Sequence, residues 1–249
     1  WTEAAKNQGV TVVAERPIKP GQKDFTAEVT ELKNTGATHI YLAVLPSGTG
    51  PVLGTAAAMK YMPVWLGATP SWIDAFFAHP KLPAPVFSNF YWVSGMPYWG
   101  EKVSGMDKFM ASFKAYGDGA RPDFYTLMSY LQGRIALEIA KRAIESGDIS
   151  REGYLNALKG VDKYDGGGML QPVGYSKFPY VVGTKTRILK PDFAKKTWAV
   201  SAGYADPSTP KAKAATPTPN PAGAAGTKSA TPAPAPAKAE GTKAAPAGQ

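Results

Sequence analysis

The chain has no cysteine among its 249 residues. This excludes disulfides, metal sites built on thiolates and cysteine nucleophiles, and it is compatible with either redox compartment. Long hydrophobic runs are missing as well, because no apolar stretch reaches the ~18–20 residues that a membrane-spanning helix needs. The sequence shows no signal peptide and begins WTEAAKNQG without a methionine, so we expect a fragment or a processed piece.

Phosphate-binding motifs are also lacking. The stretch HIYLAVLPSGTGPVLG, 39–54, predicts a strand, a glycine-rich turn and a helix. Gly48 and Gly50 do not complete G-x-G-x-x-G, since Leu53 stands where the third glycine is needed, and no Gly-Lys-Ser/Thr follows. Two interpretations stay open: the helix start offers backbone N–H groups to a ligand, or the glycines only allow a tight turn.

Residues for catalysis or metal binding are scarce, and we predict neither a metal site nor a cofactor. His39 and His79 are isolated histidines, each better explained as a surface or hydrogen-bonded polar residue than as a ligand. Asp162 and Asp165 could be paired as acid and base, but a polar turn is the better interpretation. No G-x-S-x-G nucleophile elbow is present, so a hydrolase is the weakest of the functions considered.

The formal charge of +9 is spread thinly over the chain. Nucleic-acid binding needs clustered basic residues with aromatics between them, and no such cluster is visible, so no nucleic-acid partner is predicted. Residues 205–249 are rich in alanine, proline and lysine and contain no leucine, isoleucine, valine or aromatic residue. We therefore predict a disordered tail after a folded body that ends near Tyr204.

Strands and helices alternate up to residue 93, which is typical of an α/β fold with a parallel sheet. Short apolar runs predict strands at 10–15, 39–45, 63–68 and 85–93. Helices are predicted at 24–36, 49–61 and 71–78. Asp24 is a candidate N-cap and Gly36 a C-terminal stop, and the run at 39–45 is apolar on both faces, as central parallel strands are.

From Met106 to Gly160 the pattern is helical, and no strands lie between these helices for their apolar faces to cover. Apolar faces predict one helix from Met106 to Phe113 and a longer one over 123–146. Ser150 caps a third, which ends at Gly160 with Tyr154, Leu155 and Leu158 facing inward. TRILKP and TWAVSAG predict two late strands.

The segment ERPIKPGQKDFTAEVTELKNTGATHIYLAVLPSGTGPVLGTAAAMKYMPVWLGAT, 15–69, resembles type I periplasmic solute-binding proteins, and more narrowly the branched-chain amino-acid-binding branch of ABC importers. The likeness rests on an Asp-Phe helix start, the passage LKNTGATHIYL and a small-residue helix closing on P-x-W-L-G. It continues more loosely through PDFYTLMSYLQGRIALEIAKRAIESG and fades near 204.

This resemblance implies two α/β lobes with a ligand cleft between them. By that pattern 1–93 is the second lobe, 94–165 covers the sheet of a first lobe that is largely missing here, 166–204 returns through the hinge, and 205–249 is the tail. It also implies an extracytoplasmic, periplasmic location, a membrane ABC permease as partner and no enzymatic activity. A ligand-sensing receptor of the same fold is the alternative.

The resemblance also implies a site in the loops after the second-lobe strands. Amino-acid binders of the family have a tyrosine and an acid at the positions that Leu45 and Thr69 occupy here, so an aliphatic amino acid is a poor candidate ligand. The expected ligand is a small organic solute, either an amino acid or an aromatic or other organic acid, and these two positions favour an apolar or aromatic one. The expected ligand-binding residues are Leu45, Pro46, Ser47, Thr69, Pro70, Trp72 and Tyr91.

Overall fold

A computed structural model describes residues 2–19, 21–119, 123–178, 180 and 183–206. Its helices are α1 (Thr2–Asn7), α2 (Thr26–Asn34), α3 (Pro46–Ala58), α4 (Met106–Tyr116), α5 (Phe124–Glu145) and α6 (Arg151–Lys159). Its strands are β1 (His39–Leu42), β2 (Val64–Gly67), β3 (Phe90–Ser94), β4 (Thr186–Asp192) and β5 (Thr197–Ala205). Within this part of the chain, no helix has the length and apolar character needed to cross a membrane.

The strands form one sheet in the order β1-β2-β3-β4-β5. The first three run parallel, with Ile40 opposite Trp65 and Trp65 opposite Phe90. The last two are antiparallel to their neighbours and form a hairpin at the edge. The predicted α/β class with flanking helices is confirmed, and the late strands are added antiparallel. Ala205 is the last residue of β5, and the rest of the predicted tail from 207 lies outside the described residues.

One face of the sheet carries the main core. Ile40 and Leu42 of β1 are buried there under α2 and α3, while His39 and Tyr41 are exposed. The expectation that both faces of this strand are buried is therefore wrong. Successive side chains of a strand point to opposite faces, and the core residues of α2 and α3 cluster with Ile40 and Leu42 on one of them.

The predicted strand at 10–15 is also wrong. These residues have no regular structure, and Val10 and Val13 are each 55% exposed. The Val10 N–H donates to the Ala5 carbonyl of α1 rather than to a neighbouring strand. β-propensity yields a strand only where a hydrogen-bonding edge is available, and this segment pairs with none of the described strands.

Prolines shift two other elements. The helix predicted at 71–78 is a pair of 3₁₀ turns, Thr69–Ser71 and Asp74–Ala78, and the strand predicted at 85–93 begins only at Phe90, after a further 3₁₀ turn. Pro85 lacks the N–H that a ladder needs, which favours the turn. α3 starts three residues early because Pro46 occupies its first position, where proline is favoured.

The helix-capping predictions are largely confirmed. The Ser150 hydroxyl accepts the Gly153 N–H at 3.1 Å, and α6 ends at Gly160. The Asp24 carboxylate accepts the Thr26 N–H at 2.9 Å, although the N-cap position itself is Phe25. Gly36 has φ +70°, a conformation that glycine adopts at little cost where a helix ends.

The helices after residue 105 build a second, smaller core. It consists of Met106, Phe109, Leu127, Leu131 and Met169. The far half of α5 and α6 contribute little to it. Tyr154 and Leu155, predicted to face inward, are 40% and 47% exposed, so that part of the prediction is wrong for the described residues.

Gly67 tests how tightly β2 is packed. A Cβ there would overlap the Ser71 hydroxyl and lie 2.5 Å from Phe90 Cζ. We expect Gly67→Ala to lower the free energy of unfolding by about 1–3 kcal/mol, because both neighbours belong to the core. Urea denaturation measures this.

The control is Gly54→Ala on α3, where the nearest atom is Leu82 Cδ2 at 3.6 Å. Alanine is the better helix former, so this variant should be as stable as the parent or slightly more stable. Equal stability of both variants would show that β2 tolerates a side chain at residue 67.

Candidate functional site

The loops after β1, β2 and β3 lie at one edge of the sheet, because the three strands are parallel. Hydrogen bonds join them. The Thr69 hydroxyl donates to the Val93 carbonyl at 3.0 Å, and the Trp92 indole N–H donates to the Thr69 carbonyl at 2.9 Å. The Ala68 N–H donates to the Leu42 carbonyl at 2.9 Å, so each loop starts from a fixed point.

The start of α3 meets this edge. Leu45 is the N-cap and 61% exposed, and the hydroxyl of Thr49, one turn on, donates to the Ser71 carbonyl at 2.7 Å. Pro46 has no N–H, and the N–H groups of Gly48 and Thr49 donate to the Leu45 carbonyl. Ser47 supplies the remaining N–H of the first turn. An anion cradle needs several convergent N–H groups, so this turn is poorly suited to phosphate.

Packing explains Gly50, one of the glycines of this stretch. A Cβ at Gly50 would lie 2.7 Å from Leu82 Cδ1 and 3.5 Å from Phe76 Cε1. Gly50 therefore lets α3 approach the segment after β2 closely. The expected tight turn is not formed at these glycines, because Gly48 and Gly50 lie inside α3, and Gly50 serves close packing of that helix instead.

Most of the expected site residues share the loop edge. Leu45, Ser47 and Pro70 are exposed, and Pro46 and Thr69 are half-buried. They combine apolar surface with two hydroxyl groups and carry no charge. Such a surface suits an apolar solute with one polar end.

Trp72 is not part of that surface, because it is fully buried. Its indole ring lies in an aromatic cluster with Phe76, Phe77, Phe87, Phe90, Phe193 and Trp198. Its indole N–H donates to Asp74 Oδ1 at 2.9 Å. We assign Trp72 to the core, where it supports the loop from below.

Tyr91 lies apart from the loops, three residues before the end of β3 and on the face opposite the core. It is half-buried, and Lys190 Nζ lies 5.5 Å from the centre of its ring. The geometry is that of a cation–π contact between neighbouring strands. The structure does not bring Tyr91 together with Leu45 and Thr69.

A buried ion pair at the same edge was not predicted from the sequence. Arg187 of β4 pairs with Ser94 at the end of β3, and its guanidinium binds both carboxylate oxygens of Glu101. The rings of Tyr98 and Tyr204 lie 5.5 and 4.8 Å from the guanidinium carbon. Burial acts to lower the pKa of Arg187, but the hydrogen bonds and charge of Glu101 leave it above its ordinary value. An arginine inside a strand pattern was the available signal.

Two carboxylates, also missed, join the loop after β2 to α5. The Asp74 N–H donates to Asp123 Oδ2 at 3.1 Å, and the Phe124 N–H donates to Asp74 Oδ2 at 3.1 Å. Burial raises the pKa of Asp74 to about 6; the hydrogen bonds from Trp72 and Phe124 oppose this rise, and the charge of Asp123 adds to it. Spacing gives no hint of this pair, whose members are 49 residues apart.

The isolated polar residues make local contacts. His39 Nδ1 lies 2.9 Å from the Thr38 hydroxyl, and His79 Nδ1 accepts the Lys81 N–H at 3.2 Å. Asp165 accepts the Gly167 N–H at 2.9 Å within a turn. Among the described residues, no group of three or more histidine, aspartate or glutamate side chains could hold a metal ion.

The Arg187–Glu101 pair should contribute strongly to stability. The two side chains are 5% and 19% exposed, so Glu101→Gln would leave a buried arginine without its counter-charge. We expect a loss of about 2–3 kcal/mol in the free energy of unfolding, since a broken buried pair costs more than an exposed one. Urea denaturation at neutral pH measures it.

Glu145→Gln is the control, because Glu145 pairs with Lys141 on the surface at 3.6 Å. That change should stay within about 0.5 kcal/mol. Similar effects of both substitutions would contradict a special contribution of the buried pair.

Comparisons with solved structures identify the same fold in substrate-binding proteins. A fatty acid ABC transporter substrate-binding protein from Thermomonospora curvata is 23% identical with a TM-score of 0.71, covering 82% of this chain and 52% of that one. A branched-chain amino acid ABC transporter protein from Thermus thermophilus with bound valine is 18% identical with a TM-score of 0.66, covering 81% and 55%. This chain thus spans about half the length of these relatives.

A search of curated proteins found no significant match. The profile of a family described as periplasmic binding protein matches residues 1–178, which is most of the chain. The parallel strands β1 to β3 and the helices between them lie inside that match. The chain belongs to the periplasmic binding protein family.

Proposed function

We propose that this chain forms the ligand-binding second lobe of an extracytoplasmic substrate-binding component of an ABC importer. The protein captures a small organic solute between two lobes and delivers it to a membrane permease, with no bond made or broken. The observation that carries the proposal is the shared edge of Leu45, Ser47, Thr69 and Pro70 after parallel strands. Its relatives include substrate-binding proteins of ABC transporters.

The chemistry of the edge favours an apolar solute with a carboxylate or hydroxyl end. Leu45 offers exposed apolar surface, and the Ser47 hydroxyl and N–H can donate to an oxygen. An amino-acid ligand also needs an acid for its ammonium group. Asp74, which follows the loop, already accepts N–H bonds from Trp72 and Phe124 on its two oxygens.

The relatives span both ligand classes. The Thermomonospora protein is named for fatty acids, whereas the Thermus protein holds valine. A fatty or aromatic acid meets the uncharged edge of this chain without leaving an ammonium group unpaired, which would cost free energy on binding. We therefore place the solute with the acyl or aryl acids rather than with the amino acids.

The exposed apolar face of α5 and α6 supports the two-lobe arrangement. Five large side chains are exposed on these helices and the turn between them: Leu137, Ile144, Ile149, Tyr154 and Leu155. An amphipathic helix pair of this kind is stable when its apolar face is covered. We propose that a first lobe covers this face in the complete protein.

The ligand proposal is tested by measuring solute binding to the protein that the whole reading frame encodes. Isothermal titration calorimetry with octanoate, phenylacetate and valine should show binding of one of the acids and at least tenfold weaker binding of valine. Leu45→Ala should weaken acid binding about fivefold, because the apolar contact that it removes contributes about 1 kcal/mol to the binding free energy.

Val13→Ala is the control for that substitution, since Val13 is similarly exposed but lies outside the loops. It should bind as the parent does. Tight valine binding without binding of either acid would overturn the ligand assignment and retain the binding function.

Polar substitution tests the exposed helical face. We expect the 249-residue chain to self-associate through this uncovered face, since both side chains are about two-thirds exposed, and Leu137→Gln with Ile144→Gln to reduce that self-association. The free energy of unfolding should change by less than about 1 kcal/mol. Analytical ultracentrifugation and urea denaturation measure the two effects.

A large loss of stability would show instead that these side chains already pack inside the chain. Lys141→Gln, on the same helix and exposed, is the matched control and should change neither quantity.

A further inference from the structure

The loop after β2 and the start of α5 exchange hydrogen bonds in both directions. The Asp74 carboxylate accepts the Phe124 N–H, while the Asp123 carboxylate accepts the Asp74 N–H, each at 3.1 Å. Asp123 also accepts the Tyr125 N–H at 2.7 Å as the N-cap of α5. Each aspartate thus satisfies a backbone donor of the other segment, which an ordinary cap does not do.

Two further contacts extend the junction to the predicted ligand residues. The Tyr125 hydroxyl donates to the Pro70 carbonyl at 2.7 Å. The Trp72 indole N–H donates to Asp74 Oδ1 at 2.9 Å. Hydrogen bonds therefore join residues 70–74 to residues 123–125. A change in the protonation of a carboxylate can alter the position of Pro70, because only a few bonds separate them.

The junction lies between the two cores. Phe124 packs in the main core on the sheet (the sheet core), where its ring centre lies 4.8 Å from that of Trp92. Leu127, one turn later, belongs to the smaller core of the later helices (the helical core). Any displacement of α5 relative to the sheet must break the exchanged hydrogen bonds or carry the loop with it.

We propose that Asp74 and Asp123 form a proton-controlled latch that positions the loop 69–72 on the start of α5. Both are positioning residues, which act on the site through the loop. The functional consequence, that acidic pH favours the formed site, rests on the proposed solute binding; the latch itself does not.

We call the latch closed when the two exchanged hydrogen bonds are formed and open when they are broken. The closed state favours protonation of Asp74. In the closed state burial, together with the Asp123 charge, raises the pKa of Asp74 to about 6, whereas an exposed aspartate has a pKa near 3.8. The proton therefore binds more tightly to the closed state, and ionisation of Asp74 as the pH rises toward 6 shifts the equilibrium toward the open one. Closure is strongest below about pH 4, weakens as the pH rises from there through about 6, and changes little at higher pH.

Few charges surround Asp74 in the part of the chain that the structure describes. Among the described residues, Asp123 is the charged group that acts on it, and Tyr125 is the next titratable group on α5, its own pKa raised by burial and by Asp123. On the side of the β4–β5 hairpin, Phe193 and Trp198 pack against the Trp72 ring and are uncharged. The response near pH 6 should therefore belong to Asp74.

Hydrogen exchange and NMR of the ligand-free 249-residue chain test the latch. Carbon-13 NMR of labelled aspartates should show Asp74 titrating near pH 6. After correction for intrinsic rates, amides in 69–74 and 123–126 should exchange about tenfold faster at pH 7.5 than at pH 5. A gap of about two pKa units allows up to about a hundredfold change, which partial exposure reduces.

Asp123→Asn is the decisive variant. It keeps one oxygen for the Tyr125 N–H, but it removes the charge beside Asp74 and the acceptor of the Asp74 N–H. The midpoint of the Asp74 titration and the midpoint of the exchange profile should therefore both move to lower pH, and exchange in the two segments should be faster overall. Asp74→Asn should abolish the pH dependence of exchange in the two segments. Asp24→Asn, which alters a surface carboxylate that also accepts a backbone N–H, should leave both midpoints unchanged.

A pH-independent exchange rate in 69–74, or an unmoved midpoint in Asp123→Asn, would overturn the latch. If Asp74→Asn does not fold, the parent and Asp123→Asn profiles decide the question. Since no ligand is present, failure of solute binding would leave these results intact, so the two proposals fail separately.

Discussion

Three carbonyl oxygens of the loop after β2 receive hydrogen bonds from three different elements. Thr49 on α3 donates to one, Trp92 on β3 to another and Tyr125 on α5 to the third. The bond to the Ser71 carbonyl is buried, where loss of the donor would cost free energy, while the bond to Thr69 is part-buried and the bond to Pro70 is exposed. Together the three elements restrict the shape of the loop. The edge of the sheet where ligands are proposed to bind depends on that restriction.

Aromatic packing beneath the loop supplies the rest of its rigidity. Trp72 makes ring contacts with both the parallel part of the sheet and the antiparallel hairpin, through Phe90 and Trp198 at 5.5 and 4.5 Å. Edge-to-face and tilted contacts of this kind are favourable and specific in direction. Pro70 is therefore exposed to solvent on a loop that rests on a tightly packed aromatic cluster. A preformed binding site requires such a rigid support.

Polar groups connect the sheet core with the helical core. The aspartate pair joins the loop after β2 to α5, and Arg187 with Glu101 joins β4 to the segment that leaves β3. Arg187 is buried and the two aspartates are half-buried, so the contribution of each junction to stability depends on an intact set of partners. Motion between the two cores would therefore have to break or shift the hydrogen bonds of these charged side chains.

The sequence by itself determined the local elements and the family. Caps such as Ser150, the stop at Gly36 and the strand–turn–helix at 39–58 follow from the propensities of neighbouring residues, and the edge residues Leu45 and Thr69 follow from the order of elements. Only the tertiary structure decided that residues 10–15 remain outside the sheet and that Trp72 is core. It also decided that Asp74 meets Asp123, because these outcomes depend on which distant segments supply a hydrogen-bonding edge, a cover or a charge.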